Sequence, residues 1–410
     1  MNQAADKATA YWVLRRLRDA GHQALFAGGC VRDMLLRRRV SDYDIATDAS
    51  PQQVRKLFRR VLLVGEQFGV AMVIRNRRRV EVATFRSDLS YSDGRRPDGV
   101  RFASPREDAL RRDFTINGMF YDPDADEVID YVGGREDLAA GLLRTIGEPD
   151  ERFAEDYLRL VRAVRFAVRL DFRIDPRTAD AVKRHAAKIA AISGERVFDE
   201  LSKMLSQPSA AEALTKLAEL GLATCIFGNV ASDAVLWNAA VARVAGVAGR
   251  KDLTRTLAAL LCDLPGRAVT RMIRRWGAPN ELRDAMVWIG QHRDDWRGLG
   301  EMDLAAFRKL VGHTQFARLR AIWRVRAGDG ARSVGRLVAR RLREIHDKPL
   351  PEPLLTGADL IEMGLAEGPA LGKLLAEAYD AQLNLEVRTR KDALARVRER
   401  IDHRGTEPQR

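Results

Sequence analysis

Asp42 and Asp44 flank Tyr43 within Ser41-Asp42-Tyr43-Asp44-Ile45. Alternate residues of a strand share a face, so an expected strand Asp42–Ala46 points both carboxylates the same way. Like charges that close repel unless a cation lies between them. Mg²⁺ suits such a pair, because it takes oxygen ligands and keeps waters and substrate phosphates in its shell. A polar turn, with one carboxylate capping the next helix, would place the same residues there. Glu81 stands between apolar neighbours in Arg79-Val80-Glu81-Val82-Ala83-Thr84. A carboxylate in mid-strand is costly inside a sheet unless it is paired or binds metal. Glu81 is therefore a third carboxylate of a two-metal site, or it points outward from an edge strand.

Gly28-Gly29 separates the apolar run Ala24–Ala27 from a helix expected over Val31–Leu36. Without side chains, the backbone there can approach a phosphate, and Arg32 in the first turn could reach the same group. Arg111-Arg112-Asp113-Phe114-Thr115-Ile116-Asn117 brings cations, a carboxylate and an amide together. Such groups can hold a triphosphate and ribose hydroxyls; alternatively Asp113 only caps a helix. In Glu155–Arg169, the 100° period puts Leu160, Val161, Val164, Ala167 and Val168 on one stripe. Arg159, Arg162, Arg165 and Arg169 share the opposite face, and Asp156 stands three residues before Arg159 on what should be the same helix. An acceptor and a donor held so can read a base edge as another base would. A solvated charge face is the alternative.

These residues need elements to hold them. Ser50-Pro51 has the form of an N-cap followed by proline at the first helical position. Val70–Ile74 and Val80–Phe85 form an expected hairpin around Arg75–Arg79. Ser87–Arg101 is a long polar loop, a length that in ordered proteins favours function. From Glu151 onward the period is near 3.6, broken at Gln207-Pro208, Gly277-Ala278-Pro279 and Pro349–Pro353. The chain should be α+β: a head with a small mixed sheet and helices, then an all-α remainder. Boundaries fall near 137, 206 and 340, and residues 340–353 have the basic, proline-rich character of a hinge or linker.

Composition excludes several classes. Hydrophobic residues at 46% and charged residues at 31% give a folded core and exclude a disordered chain. Lys+Arg 70 against Asp+Glu 57 leaves +13, which favours a polyanionic partner. The most apolar stretch, around Ala239–Ala248, is short and carries Arg243, so no membrane span is expected. Met1–Ala10 lacks the pattern of a secretory signal. Cys30, Cys225 and Cys262 are far apart and odd in number, so a disulfide framework is not expected and a reducing cytoplasm is. The pair His346-Asp347 falls in the proline-rich stretch. No histidine metal motif, nucleophile motif or P-loop Lys-Ser/Thr follows the glycine turn.

In chain order the signals are Gly28-Gly29-Cys30-Val31-Arg32-Asp33, Asp42-Tyr43-Asp44, Arg111–Asn117 and Glu155-Asp156-Tyr157-Leu158-Arg159. This set resembles the class II tRNA nucleotidyltransferases, or CCA-adding enzymes, of the tRNA nucleotidyltransferase/poly(A) polymerase family. The likeness spans about residues 22–205 and returns at Leu354–Ile361, which resembles the family's tail. Near Leu260-Leu261-Cys262-Asp263, where some relatives carry a His-Asp phosphohydrolase pair, this chain has cysteine. Arg37 stands where a glycine is usual, and Gly118 where an alanine is usual.

The resemblance implies roles. Gly29 and Arg32 would contact the triphosphate; Asp42 and Asp44 would hold Mg²⁺, with Glu81 the further catalytic candidate. Arg112 would bind the nucleotide and Asp113 its ribose. Asp156 and Arg159 would choose CTP or ATP, supported by Arg162 and Arg165, with Glu200 bracing their helix. The domains would be a catalytic head 1–137, a neck 138–206 for nucleotide selection, a body 207–340 and a tRNA-binding tail 341–410. The partner would be the acceptor arm and 3′ end of tRNA, with CTP and ATP as substrates, no membrane and no obligatory protein partner. Ser87–Arg101 is a plausible lever for the change from C to A, since C-only relatives lack such a loop. An A-adding or poly(A)-adding enzyme, and a catalytically silent RNA-binding protein, are the alternatives.

Overall fold

The computed structural model describes residues 3–63, 69–88, 100–247, 249 and 251–405. The chain separates into two units, one of residues 1–241, 248–251 and 274–278, the other of 242–247, 252–273 and 279–410. The first unit opens with α1 (Gln3–Asp19), β1 (Ala24–Ala27), α2 (Gly29–Leu35), β2 (Ile45–Thr47) and α3 (Pro51–Leu57). There follow β3 (Val61–Leu63), β4 (Val70–Arg75), β5 (Arg78–Thr84), β6 (Arg86–Asp88) and β7 (Val100–Phe102). Then come α4 (Pro105–Leu110), β8 (Phe120–Asp122), β9 (Glu127–Ile129), α5 (Gly134–Ala139) and β10 (Leu142–Leu143). Helices α6 (Pro149–Glu155) and α7 (Leu158–Leu170), strand β11 (Arg173–Ile174), and helices α8 (Pro176–His185) and α9 (Gly194–Leu205) complete the elements that matter here. Beyond α9 the described residues are mainly helical, with one long connection between the helices Ala331–Leu342 and Gly357–Glu362.

A seven-stranded mixed sheet in the order β3-β4-β5-β2-β1-β8-β9 is the platform. Only β2 and β5 run parallel within it; the other neighbours are antiparallel. Leu25, Ala27, Ala46, Phe85, Ala109 and Phe120 form a buried cluster on the sheet. The β4–β5 hairpin turns at Asn76 and Arg77, both left-handed at φ 48° and 62°, which matches the twist of a two-residue hairpin. The capping box expected at Ser50 is present, with Gln53 as its reciprocal partner.

Three expectations need correction. The strand begins at Ile45, so Asp42 and Asp44 lie in the segment leading into it. Ladder pairing still reaches Asp44, whose carbonyl accepts from the Ala27 amide at 3.0 Å. Glu81 is not on an edge strand, because β5 lies between β4 and β2. The basic proline-rich stretch is tied down within the second unit. Buried Arg308 donates to Asp347 at 2.6 Å and to the carbonyls of Lys348 and Pro349 at 2.8 and 3.0 Å. The Tyr379 hydroxyl adds a bond to the Pro351 carbonyl at 2.8 Å. Segments so satisfied do not behave as free linkers.

The long loop 87–101 is closed at its base by the β6–β7 pair, with Ser87 opposite Arg101. Residues 89–99, and the lever proposed for them, lie outside the described residues. The motif Leu354–Ile361 also has a physical explanation. Thr356 and Asp359 form a capping box that starts the helix Gly357–Glu362, whose Leu360 is buried in the tail core.

Candidate active site

One cleft of about 540 Å³ gathers every residue singled out for chemistry: Gly29 and Arg32, then Asp42, Asp44 and Glu81, then Arg112, Asp113, Asp156, Arg159, Arg162 and Arg165. The elements that bring them together are β1–α2, the lead into β2, β5, the turn after α4, and α7.

At Gly28 the backbone takes φ +69°, and a Cβ there would lie 2.6 Å from Arg112 Nη1. Glycine alone fits both the angle and the contact. Arg32 is buried beside it, donating to Asn117 Oδ1 at 2.6 Å and to Asp33 at 2.8 Å. Burial holds the Arg32 guanidinium below its usual range, partly offset by Asp33. Arg112 is aimed by buried Asp108, which accepts at 2.9 and 3.1 Å, and by the Asn117 carbonyl at 3.1 Å. Asp108 was not among the expected residues. Its i,i+3 and i,i+4 spacing to Arg111 and Arg112 was the available signal.

Asp113 is not a helix cap: the short turn Thr115–Asn117 that follows has Phe114 at its N-cap position. Asp113 Oδ1 accepts from the Phe114 amide and from Asn117 Nδ2, and its Oδ2 takes two bonds from Arg162 at 2.6 and 2.9 Å. Burial would raise its carboxyl, but Arg162 and the Asn117 amide hold it well below the usual carboxylate range. It is an anion in a fixed orientation.

The three acidic groups behave differently. Burial pushes the Asp44 carboxyl up to about 7, with Glu81 and Asp42 adding repulsion and Arg112 opposing. Glu81 is exposed at the cleft mouth, yet the protein around it, with Asp42, still raises its carboxyl against the pull of Arg86. No described residue gives Asp42, Asp44 or Glu81 an ion pair or side-chain hydrogen bond. Asp44 and Glu81, pushed up by burial and by neighbouring carboxylates, stand beside Asp42 with no ion-pair partner among the described residues, so the donor set fits a divalent metal. Among the described residues, no three His, Cys, Asp or Glu side chains converge closely enough to form a full protein cage. Waters and phosphate oxygens would have to complete the shell.

Helix α7 carries the other wall. The expected stripe Leu160, Val161, Val164, Ala167 and Val168 is buried. So are Arg159 and Arg165, which makes α7 buried almost all round instead of half solvated. Each cleft arginine finds a carboxylate: Arg159 meets Glu155, Arg162 meets Asp113, Arg165 meets Glu200 and Arg169 meets Asp33. Arg32, Arg162 and Arg165 also lie 5.3, 5.2 and 4.2 Å from the centroid of Phe166, whose face attracts cations.

Asp156 and Arg159 are not the helical i,i+3 pair that spacing predicts. Helix α6 stops at Glu155, and Asp156 is extended at φ −152°, ψ 102°. Its Oδ1 accepts from the Leu158 amide at 3.1 Å, a local bond that competes with helix. Its Oδ2 accepts from Arg196 of α9 at 2.8 Å. Arg159 instead donates to Glu155 and to the carbonyls of Arg152 and Arg111. Both side chains still line the same cleft.

With this geometry in place, comparison with known proteins is direct. A family model described as the poly(A) polymerase head domain matches residues 24–144. A second, described as the probable RNA and SrmB-binding site of polymerase A, matches residues 171–233. The CCA-adding enzyme of Geobacillus stearothermophilus is 35% identical over 391 residues, covering 94% of this chain and 95% of that one. The chain belongs to the CCA-adding enzyme family. A crystal structure of the Bacillus stearothermophilus enzyme in complex with CTP is 31% identical, with TM-score 0.76 over 97% of this chain and 98% of that one. The Thermotoga maritima enzyme complexed with tRNA, at 19% identity and TM-score 0.67, covers 96% of this chain and 95% of that one, and shares the fold.

Membership implies use of a divalent metal ion. It also gives the two departures from the family pattern a structural meaning. Arg37 has φ 52°, the left-handed region where the usual glycine would be unstrained. At Gly118 a Cβ would come within 2.6 Å of Val132 Cγ2 and 3.1 Å of Ile146 Cδ1. Val132 and Ile146 therefore leave no room for a methyl group at this position.

Proposed function

We propose that this chain adds C, C and A in turn to the 3′ end of tRNA from CTP and ATP, releasing pyrophosphate, without a nucleic-acid template. The observation that carries this reading is the cleft that Asp42 and Asp44 line together with Asp156 and Arg159. Cytosine and adenine each present an exocyclic amine donor where the competing pyrimidine or purine presents a carbonyl acceptor. Asp156 accepts and Arg159 donates, so the pair favours C and A over U and G. Arg162 and Arg165 support that wall, and Glu200 braces Arg165.

Gly29, Arg32 and Arg112 bind the triphosphate, while Asp113, held as an anion by Arg162, addresses the ribose. Asp42 and Asp44 would hold Mg²⁺, which supplies Lewis acidity to the attacking 3′-hydroxyl and to the leaving pyrophosphate. We keep Glu81 in the catalytic set through its charge at the cleft mouth, which draws a cation inward. We assign catalysis to 1–137, nucleotide selection to 138–206, and grip on the tRNA acceptor arm to the body 207–340 and tail 341–410. No described helix is long and apolar enough to cross a membrane. Its cysteines are free thiols, and a reducing cytoplasm, where tRNA is the substrate, is the proposed location.

Sequencing the 3′ ends formed on tRNA lacking CCA, CA or A, with Mg²⁺, CTP and ATP, tests the proposal. Completion to CCA from all three is expected. Addition of A alone, or of an A tract, would mean an A-adding or poly(A)-adding enzyme. Binding without addition would mean a silent RNA-binding protein.

A further inference from the structure

A second cavity, of about 410 Å³, shares Arg165 and Arg169 with the nucleotide cleft and continues to Lys203, Gln207, Ser209 and Lys251. No carboxylate lines it among the described residues. Lys251 is exposed and has no ion pair there, and the Arg169 side chain is 44% exposed with only a 3.3 Å contact to Asp33. Lys203 is held by Asp199 at 2.6 Å and lies 3.5 Å from Glu200, but its side chain remains half exposed. Beside apolar Val168 and Met204, the polar lining of the cavity consists of cations and neutral groups, a composition that suits an anion.

Its position says which anion. Of the base-reading residues, Asp156 lies just before α7 and Arg159 in its first turn. Arg169 stands ten residues on, about 15 Å along the axis at 1.5 Å per residue. There it faces Asp33, which is bonded to Arg32 of the phosphate cradle. Through Arg169 the second cavity thus reaches the phosphate end of the cleft, while Arg165 lines both spaces midway along α7. In nucleotidyl transfer the attacking and leaving oxygens lie roughly in line. The RNA hydroxyl must approach the α-phosphorus from one side, and pyrophosphate departs on the other.

We infer that this cavity receives the pyrophosphate released by nucleotide addition, an inference that rests on the reaction proposed above. Arg165 and Arg169 belong to both spaces, so the departing anion keeps a cation partner while it moves. Lys203 and Lys251 then hold it, and their exposure lets it pass to solvent. Neither lysine pairs with Asp156, Arg159, Asp42 or Asp44 among the described residues, and Lys203 lies only at the long distance of 3.5 Å from Glu200.

The test is product inhibition by inorganic pyrophosphate against CTP, with Mg²⁺ and tRNA, in Lys203→Gln, Lys251→Gln and the double variant. The inhibition constant should rise roughly tenfold per cation removed, the worth of one charge-assisted contact. The Michaelis constant for pyrophosphate in the reverse reaction, where pyrophosphate takes the terminal AMP to form ATP, should rise in step. Forward turnover without added pyrophosphate, the Michaelis constant for tRNA and the melting temperature should hold, and Lys203→Arg should restore inhibition. Normal CCA addition with an unchanged inhibition constant in the double variant would overturn the inference and leave the function intact. A weakened tRNA constant with unchanged inhibition would assign the cavity to RNA backbone and overturn it too. A parent protein that releases no pyrophosphate would remove the functional reading itself.

Discussion

Two helices of this chain carry arginines at helical spacing and put them to opposite uses. On α7, Arg159, Arg162, Arg165 and Arg169 are met by Glu155, Asp113, Glu200 and Asp33. On the helix Ala331–Leu342, Arg332, Arg336 and Arg340 recur every fourth residue, are exposed, and have no carboxylate partner among the described residues. A guanidinium leaves water only if a carboxylate replaces that water. Partnering therefore turns a basic stripe into the wall of a site, and its absence leaves cations free for solvent or for a polyanion. Apart from Glu155, four residues before Arg159, the partners of α7 come from far along the chain: Asp33, Asp113 and Glu200. The difference lies in tertiary structure, not in the helices.

Substitutions at both places can break or sharpen this contrast. The largest effect should come from the acidic side of the cleft that α7 faces. Asp42→Asn or Asp44→Asn should abolish nucleotide addition while tRNA binding persists, read by single-turnover assay and filter binding. Near-parental turnover in Mg²⁺ would remove the metal assignment.

Next is Glu200→Gln, which leaves Arg165 buried without its carboxylate. Breaking a buried pair costs about 3–5 kcal/mol, so denaturant unfolding should show a clear loss. A loss below about 1 kcal/mol would place Arg165 in the class of the exposed arginines.

Asp156→Ala and Arg159→Ala should damage choice of nucleotide more than transfer itself. At about 1–3 kcal/mol per base contact, selectivity against UTP and GTP should fall roughly ten- to a hundredfold. Single-turnover rates with the four nucleotides decide it. Unchanged selectivity in both variants would place base reading elsewhere.

A pH effect should follow from Asp44. Its folded carboxyl titrates near 7, above the usual value, so the protonated form is favoured. Its contribution to apo stability is greatest in acid and is lost as pH rises through 7. Metal binding runs the other way, because the ion must displace that proton. Mg²⁺ affinity by calorimetry should fall up to about tenfold per pH unit below 7 and level off above it. A flat profile from pH 5.5 to 8 would contradict the burial argument.

The smallest effect on stability belongs to the exposed stripe. Arg332→Gln, Arg336→Gln and Arg340→Gln should each stay within about 0.5 kcal/mol of the parent. If the stripe meets RNA phosphates, each variant should flatten the salt dependence of tRNA binding by about 0.7–0.9 in log–log slope.

Legibility in the sequence followed the range of the interaction. The α2 and α3 starts, the β4–β5 hairpin and the apolar stripe of α7 rest on residues within a few positions of one another, and they stand where local pattern puts them. Asp156 shows the limit. Spacing makes it the helical neighbour of Arg159, but its own bond to the Leu158 amide and the reach of Arg196, forty residues on, take it off the helix. Residues 340–353 show the same limit. Their prolines and charges signal a linker, and only buried Arg308 reveals that the backbone carbonyls are already satisfied.

By itself, then, the sequence determined which groups meet and in what order: two carboxylates, a glycine turn, a mixed basic-acidic turn and an arginine helix. The chemistry follows from residue type, and residue type is not altered by folding. Only the tertiary structure decided how those groups are partnered. It set Glu81 on a central strand facing the cleft, tied Asp113 to Arg162 and Arg165 to Glu200, and gave Asp42 and Asp44 no ion pair among the described residues. Burial and long-range charge govern these outcomes. Both depend on which distant segments displace water around a side chain, a quantity that no local window of sequence contains.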